Sequence, residues 1–173
     1  AIIFQNIFHN EYGVVNYFLT YFNFIKEPIS WWTNGAWAKV SIILIRSWMI
    51  IPFMMIYFLT GLQSIPIEIY DATKIDGAKP YQEFLYVTLP LLKPITLFVF
   101  VTGTVTAVQI FTIPYMLTGG GPSNSTISII QYMYISGLNN FQFGYSSAIS
   151  IFVFVLLSLI AYIQFKISNK DGV

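Results

Sequence analysis

The chain has 173 residues, of which 56% are hydrophobic and only 9% charged, and its formal net charge is +1. Soluble domains carry about a quarter charged residues, so this composition argues against an ordinary water-soluble fold. A small net charge without a basic run gives no support for nucleic-acid binding, and a chain without cysteine has neither disulfides nor thiolate metal sites.

The N-terminal segment, residues 1–8, begins with neither Met nor a basic region and does not resemble a signal peptide. It is predicted to be the end of a membrane helix whose beginning is missing, so the chain is expected to be truncated at its N-terminus. Residues 9–35 are rich in Asn, Gly and Tyr and predict an external segment. The only histidine, His9, predicts a surface position, since no second metal ligand lies near it in sequence.

Residues 36–60 form the first of three apolar stretches that match the about 20 helical residues needed to cross a bilayer. Arg46 lies near its middle, where a charge is costly and commonly faces the bundle interior. Pairing with a carbonyl or acidic group of another helix and contact with a solute both remain open for Arg46. Pro52 is predicted to free the carbonyl of Trp48, and such a kink favours an assembly of several helices.

The next segment, the 61–90 loop, contains four of the seven acidic residues of the chain, Glu68, Asp71, Asp76 and Glu83. Ser64 is predicted to cap a first short helix, and Gly77 to end it in the left-handed conformation. Pro80 predicts a second short helix that ends at Leu89-Pro90. Two helices joined at a glycine, too polar to cross a membrane and too apolar to be fully solvated, favour docking against another protein.

Two other interpretations of the 61–90 loop remain open. An amphipathic connector on the membrane surface favours Lys and Arg, whereas acids outnumber bases here. An enzyme site could use Glu68 and Asp71 as acid and base, one helical turn apart. No histidine, cysteine or nucleophile accompanies these carboxylates in the loop, which makes catalysis the weakest of the three interpretations.

Residues 91–117 and 146–165 are the second and third predicted membrane helices, and 118–145 is a second external segment. The second helix is unusually polar, and one of its faces is predicted to hold Thr102, Thr106, Gln109 and Ile113. Helix packing through small and hydroxylated residues and the wall of a solute pathway are equal alternatives for that face. Pro114 is predicted to kink the helix by freeing the carbonyl of Ile110.

The distribution of Lys and Arg predicts the orientation of the chain. Residues 118–145 have no Lys or Arg and 9–35 have only Lys26, whereas 61–93 have three lysines and the 166–173 tail has two. The 61–90 loop and the tail are therefore predicted to be cytoplasmic. The fold expected from these segments is an all-α, polytopic membrane helical bundle.

The spacing within the 61–90 loop resembles the signature of the permease subunits of binding-protein-dependent ABC importers. In that family Glu-Ala-Ala is followed by three residues, Gly, nine residues, Ile, any residue and Leu-Pro. Here the pattern is Asp71-Ala72-Thr73, Gly77, Val87, Thr88 and Leu89-Pro90, with every spacing kept. Asp71 and Val87 are conservative departures, and Thr73 replaces alanine with a larger β-branched residue.

Further stretches resemble the carbohydrate branch of these permeases and extend the resemblance over nearly the whole chain: Trp48, Pro52-Phe53, residues 61–66, residues 117–122 and residues 144–150. The resemblance implies the MetI-like transmembrane fold. It also implies that the loop inserts into a cleft on a cytoplasmic ATPase subunit. The residues expected to form this coupling surface are Glu68, Asp71, Ala72, Thr73, Asp76, Gly77, Ala78, Leu89 and Pro90.

The resemblance also implies the partners: a dimer of cytoplasmic ATP-binding subunits, a second, non-identical permease subunit, an extracytoplasmic sugar-binding protein, a sugar or sugar derivative, and membrane lipid. The chain lacks the GxxxxGK[ST] phosphate loop, so ATP hydrolysis is expected on a separate subunit. The chain itself is expected to be a non-enzymatic transport subunit without a cofactor, in a bacterial or archaeal cytoplasmic membrane. Its candidate pathway residues are Arg46, Trp48, Thr102, Thr106, Gln109 and Pro114.

Three other functions are alternatives to that of a transport subunit. A membrane scaffold could use the 61–90 loop to dock a partner that is not an ATPase, and co-purification would discriminate it. An ion-driven secondary transporter commonly places carboxylates within its helices, whereas every acid here lies outside the three apolar stretches. An intramembrane enzyme lacks any catalytic constellation in this sequence.

Overall fold

A computed structural model describes residues 2–170, which form helices and turns without a strand, and the all-α prediction is confirmed. Residue 1 of the predicted first segment and residues 171–173 of the predicted tail lie outside the described residues. The helices are α1 (Ile2–Ile7), α2 (Val14–Tyr21), α3 (Gly35–Gln63), α4 (Ile67–Ile75), α5 (Pro80–Glu83), α6 (Leu89–Leu91), α7 (Lys93–Val108), α8 (Thr112–Thr118), α9 (Ile129–Tyr134) and α10 (Phe143–Lys170). Single π-helical turns follow α5 (Phe84–Thr88) and α9 (Ile135–Asn139).

Three stretches within residues 2–170 are long and apolar enough to cross a membrane, namely Gly35–Gln63, Lys93–Thr118 and Phe143–Ser168. They overlap the three stretches predicted from sequence. Pro52 lies inside α3, as predicted.

The second stretch is not the single kinked helix that was predicted. Helix α7 ends at Val108 and α8 begins at Thr112, so Gln109 lies in a non-helical interruption. The prediction that Gln109 shares one helix face with Thr102 and Thr106 is therefore wrong. Ile113, the fourth member of that face, belongs to α8, where it is buried.

The predicted role of Pro114 is also wrong. Pro114 is the third residue of α8, and the N–H groups of a first helical turn have no intrahelical acceptor in any case. Its missing N–H therefore frees no carbonyl in a continuing helix. The interruption precedes the proline, and Ile110 lies within it.

The chain divides into two compact units, one made of residues up to Met49 with Thr106–Leu156, the other of Ile50–Val105 with residues from Leu157 onward. The first unit has a hydrophobic core of buried side chains from α3, α8, the residue after α1 and the segment between α2 and α3: Phe8, Trp31, Ile42, Ile45, Ile113 and Leu117. Close packing of these side chains stabilises the unit through van der Waals contacts, which drive helix association where lipid replaces water.

Asn16 joins α2 to the rest of the first unit. It is only 2% exposed, and its amide nitrogen donates to the carbonyls of Asn10 and Ile29 at 2.8 and 2.9 Å. Its amide oxygen accepts from the backbone of Ile29 at 3.2 Å and from the indole of Trp31 at 2.9 Å. One buried amide thus bonds to four groups in the two irregular segments that flank α2.

The second unit brings the end of α3 against the start of α7. A Cβ added to Gly61 would lie 2.8 Å from Ile95 Cγ1 and 3.0 Å from Leu92 Cδ2. Glycine therefore permits the close approach of these two helices, as small residues do in membrane bundles. Farther along the same helices, the rings of Tyr57 and Phe98 meet edge to face at 5.2 Å.

Candidate functional site

Gly77 ends α4 as predicted. Its φ is +73°, its N–H donates to the Lys74 carbonyl at 3.1 Å, and the Ala78 N–H donates to the Thr73 carbonyl at 3.0 Å. These are the two bonds of a Schellman motif, which requires a residue in the left-handed conformation. A Cβ at this position would meet no described atom within 4 Å. The backbone conformation, and not space inside the chain, therefore requires glycine.

The start of α4 differs from the prediction, because Ser64 does not cap it. The N-cap position is Pro66, which makes no side-chain cap. The Ser64 hydroxyl instead donates to the Gly61 carbonyl at 2.7 Å and satisfies the end of the preceding helix, α3.

Two side-chain hydrogen bonds connect α4 to the following helical part of the loop. The Thr73 hydroxyl lies 3.1 Å from Glu83 Oε2 and 2.8 Å from the Tyr70 carbonyl, so its single proton serves both acceptors. The hydroxyls of Tyr70 and the buried Thr88 lie 3.3 Å apart. Alanine, the residue in the family pattern at position 73, could not form the bond to Glu83.

The second helical part of the loop starts as predicted but continues beyond the predicted end. The Lys79 N–H donates to Gln82 Oε1 at 2.9 Å at the start of α5. The π turn of Phe84–Thr88 then leads into α6. Pro90 is the second residue of α6, which follows the π turn in unbroken helical backbone conformation. The helical turns therefore continue to Leu91 instead of stopping at Leu89-Pro90.

The outer surface of the loop mixes carboxylates with exposed apolar side chains. Lys74 Nζ pairs with Asp71 Oδ1 at 3.1 Å, but their side chains are 66% and 60% exposed, so the pair contributes less than about 1 kcal/mol. Ile75, the last residue of α4, is 87% exposed. Further apolar side chains exposed on the loop are Ile67, Tyr81, Phe84, Leu85, Tyr86 and Leu89. Glu68, Ala72 and Asp76 are exposed, and Ala78 is half-buried.

Arg46 lies half-buried in α3, and its Nη2 is 3.5 Å from the Thr106 carbonyl of α7. Its Nε is buried without a hydrogen-bond partner among the described residues. A carbonyl of another helix was one of the two alternatives for Arg46. The single long bond leaves much of the guanidinium able to bind another acceptor, because this group carries five N–H donors.

The other candidate pathway residues differ in burial and in their contacts. Trp48 is 74% exposed, and because it follows Arg46 by two positions it lies on nearly the opposite side of α3. Thr102 is half-buried on α7, where its hydroxyl donates to the Phe98 carbonyl at 2.7 Å. Gln109 is exposed in the interruption, whereas Pro114 is buried in α8. Arg46 and Thr106 are in contact.

One polar contact between helices was missed from sequence. Gln164 Nε2 on α10 donates to Thr104 Oγ1 on α7 at 3.0 Å, within the second unit. A lone glutamine in the third apolar stretch was its only sequence signal. In the part of the chain that the structure describes, no group of three or more His, Cys, Asp or Glu is placed to hold a metal ion.

The family and the relatives that the chain matches are all components of membrane transport systems. Residues 1–171 match the family described as "Binding-protein-dependent transport system inner membrane component". The chain is 39% identical to the sulfoquinovosyl glycerol transport system permease protein SmoG of Agrobacterium fabrum, with 99% of this chain and 55% of that protein covered. It is 36% identical to the lactose transport system permease protein LacF of Rhizobium radiobacter, covering 98% and 58%. The chain therefore spans little more than half the length of these relatives.

Among solved structures, the chain is similar to one in a bacterial ABC transporter involved in the import of the acidic polysaccharide alginate. The TM-score is 0.85 at 22% identity, and the similarity covers 99% of this chain and 59% of the solved chain. This likeness establishes the fold.

Proposed function

The chain belongs to the family of binding-protein-dependent transport system inner membrane components, and from this premise we propose that it is part of a permease subunit of an ATP-driven sugar importer. The subunit forms part of the translocation pathway. It couples this pathway, through the 61–90 loop, to a separate cytoplasmic ATPase. A second, non-identical permease subunit and an extracytoplasmic sugar-binding protein complete the transporter, which lies in a bacterial or archaeal cytoplasmic membrane.

The observation that carries this proposal is the geometry at the tip of the loop. Ile75 is 87% exposed, and the adjacent Gly77 has open space where a side chain would be. An isoleucine this exposed, with carboxylates around it, favours a partner surface that covers it. The hydrogen bond from Thr73 to Glu83 holds α4 against α5. Docking would therefore cost little conformational entropy in the loop.

The packing at the base of the loop supports a coupling role. Gly61, near the end of α3, lies close to Leu92 and Ile95 where α7 begins. A close-packed contact of this kind transmits displacement, because packed interiors deform little. Movement of the loop with the ATPase would then move both helices together, as alternating access requires.

The substrate class follows from the relatives and from the polar groups of the chain. SmoG and LacF are named for sulfoquinovosyl glycerol and lactose, and we propose a sugar or sugar derivative here as well. Hydroxyls and amides in the apolar stretches suit a substrate with many hydroxyl groups. Arg46, with an unpaired Nε, adds one cationic donor to this set.

The test is co-purification followed by activity. An ATPase subunit is expected to co-purify with the protein, and its ATP hydrolysis in vesicles is expected to rise when the loaded sugar-binding protein is added. Competition by a panel of sugars in an uptake assay would then identify the substrate. Recovery of a non-ATPase partner alone would favour the scaffold, and uptake driven by an ion gradient without ATP would favour a secondary transporter.

The proposed orientation predicts the labelling of single cysteines, which is simplified by the absence of cysteine from the chain. Lys74→Cys is expected to react with a membrane-impermeant maleimide only after the cells are permeabilised. Asn140→Cys, at an exposed position of the 118–145 segment, is expected to react in intact cells. Labelling of position 74 from outside would overturn the orientation.

A further inference from the structure

Helix α2 has one packed side and one exposed side. Val15 and Leu19 pack against the hydrophobic core, and Asn16 is buried between them in sequence. The other side, together with the residue that follows the helix, presents four aromatic residues, Tyr17, Phe18, Tyr21 and Phe22, which are 64%, 53%, 69% and 60% exposed. We call these four residues the aromatic ladder.

The rings of the aromatic ladder are ordered in two rows. Tyr17 stacks with Tyr21 at 6.1 Å, and Phe18 stacks with Phe22 at 6.4 Å. Tyr21 also meets Phe22 edge to face at 5.4 Å. No charged residue lies within Val14–Tyr21. The result is a continuous exposed aromatic surface, and exposed apolar patches of this kind mark contact sites for proteins or membranes.

The contacts of α2 place it beside the first turn of a candidate membrane span. Asn16 Oδ1 accepts from Trp31 Nε1 at 2.9 Å. The Trp31 ring meets the ring of Trp37 at 5.4 Å, and Trp37 is the third residue of α3. The first turn of a spanning helix lies near the boundary between head groups and acyl chains. A short helix attached to that turn lies near the same boundary.

We propose that the aromatic ladder binds the membrane surface, with its rings at the boundary between lipid head groups and acyl chains. Tyrosine is enriched at this depth because its ring is apolar and its hydroxyl is polar, and phenylalanine supplies buried apolar area in interfacial helices. The eight residues of α2 are far short of the about 20 needed to span the bilayer. The inference depends on α3 crossing the membrane and not on transport of a sugar.

A lipid contact explains the aromatic ladder better than a soluble partner does. A docking surface for a soluble protein would combine apolar groups with a charged or polar rim. Within α2 the polar side chains are those of Asn16, Thr20 and the tyrosines. Asn16 is buried, and the Thr20 hydroxyl donates to the Asn16 carbonyl at 2.8 Å within the helix. The tyrosine hydroxyls are therefore the main polar groups on the exposed side.

The test uses fluorescent probes on single cysteines in the protein reconstituted into vesicles of phosphatidylethanolamine and phosphatidylglycerol. Phe18→Cys and Phe22→Cys carry an environment-sensitive fluorophore, and Glu27→Cys, at an exposed charged position of the same segment, is the matched control. Quenching by lipids with a spin label near the head group is compared with quenching by aqueous iodide.

Probes at positions 18 and 22 are expected to be quenched several-fold more by the shallow lipid label than by iodide, with the reverse order at position 27. Stronger quenching by iodide at 18 and 22 would show a water-exposed surface and overturn the proposal. Protection from both quenchers would show that protein covers the aromatic ladder, and would overturn it equally.

Discussion

Replacing Gly77 with leucine is expected to abolish sugar uptake while the amount of protein in the membrane stays near that of the wild type. The φ of +73° costs a residue with a Cβ about 1–2 kcal/mol, which is too little to prevent folding. The added side chain would project into space that no described atom occupies within 4 Å. Under the proposed function this space receives the ATPase. Uptake of radiolabelled sugar, together with immunoblots of membranes, measures both quantities.

Two variants separate the backbone effect from the bulk of the side chain. Asparagine tolerates the left-handed conformation, so Gly77→Asn is expected to fold normally and to reduce uptake less than Gly77→Leu. Gly119 also has a positive φ, +61°, and open space around it, but it lies in the segment predicted to be external. Gly119→Leu carries a similar backbone cost and is expected to retain most uptake. Normal transport by Gly77→Leu would contradict the coupling proposal, and equal loss in both leucine variants would indicate misfolding instead.

Replacing Asn16 with leucine is expected to destabilise the first compact unit by about 4 kcal/mol, since buried groups that lose their partner cost about 1–3 kcal/mol each. Leucine is close to asparagine in size but accepts and donates no hydrogen bond. It would leave the indole of Trp31 and the backbone groups of Asn10 and Ile29 without the partner they now share. A lower melting temperature and faster proteolysis within residues 9–35 are the expected results, measured on protein in detergent.

Thr20→Ala is the matched control on the same helix. The Thr20 hydroxyl only bonds back to carbonyls of its own helix, those of Asn16 and Tyr17. Its loss is expected to change stability by less than about 0.5 kcal/mol, as for most partly exposed substitutions. If Asn16→Leu melted at the wild-type temperature, the side-chain hydrogen bonds of Asn16 would not be what holds α2 in place.

Features set by local physics were predictable from the sequence. The length and hydropathy of the apolar stretches depend only on their own residues, and each corresponds to a candidate span. The end of α4 was equally accessible, because Gly77 is the residue type that can adopt the required φ at low cost. The position of Pro52 inside α3 followed from the uninterrupted apolar sequence on both sides of it.

Features set by tertiary contacts were not predictable. The polar residues of the second stretch keep a helical period through Gln109, so periodicity gave no sign of the interruption. Around the interruption, Ile110 and Ile113 pack against the core of the first unit, and this packing can outweigh the loss of one helical turn. The bond from Thr73 to Glu83 joins residues ten positions apart, and a resemblance built on spacing does not reveal it.

The interruption before α8 also limits the length of continuous helix in the second candidate span. The 16 residues of α7 rise by about 24 Å, which is less than the about 30 Å thickness of the hydrocarbon layer. Under the proposed membrane topology, α7 alone would therefore be subject to hydrophobic mismatch. Because lipid cannot satisfy peptide groups outside a helix, the same topology requires the backbone of Gln109, Ile110 and Phe111 to face protein or water. In the proposed transporter, this side of the second span would thus be excluded from the annulus of lipid.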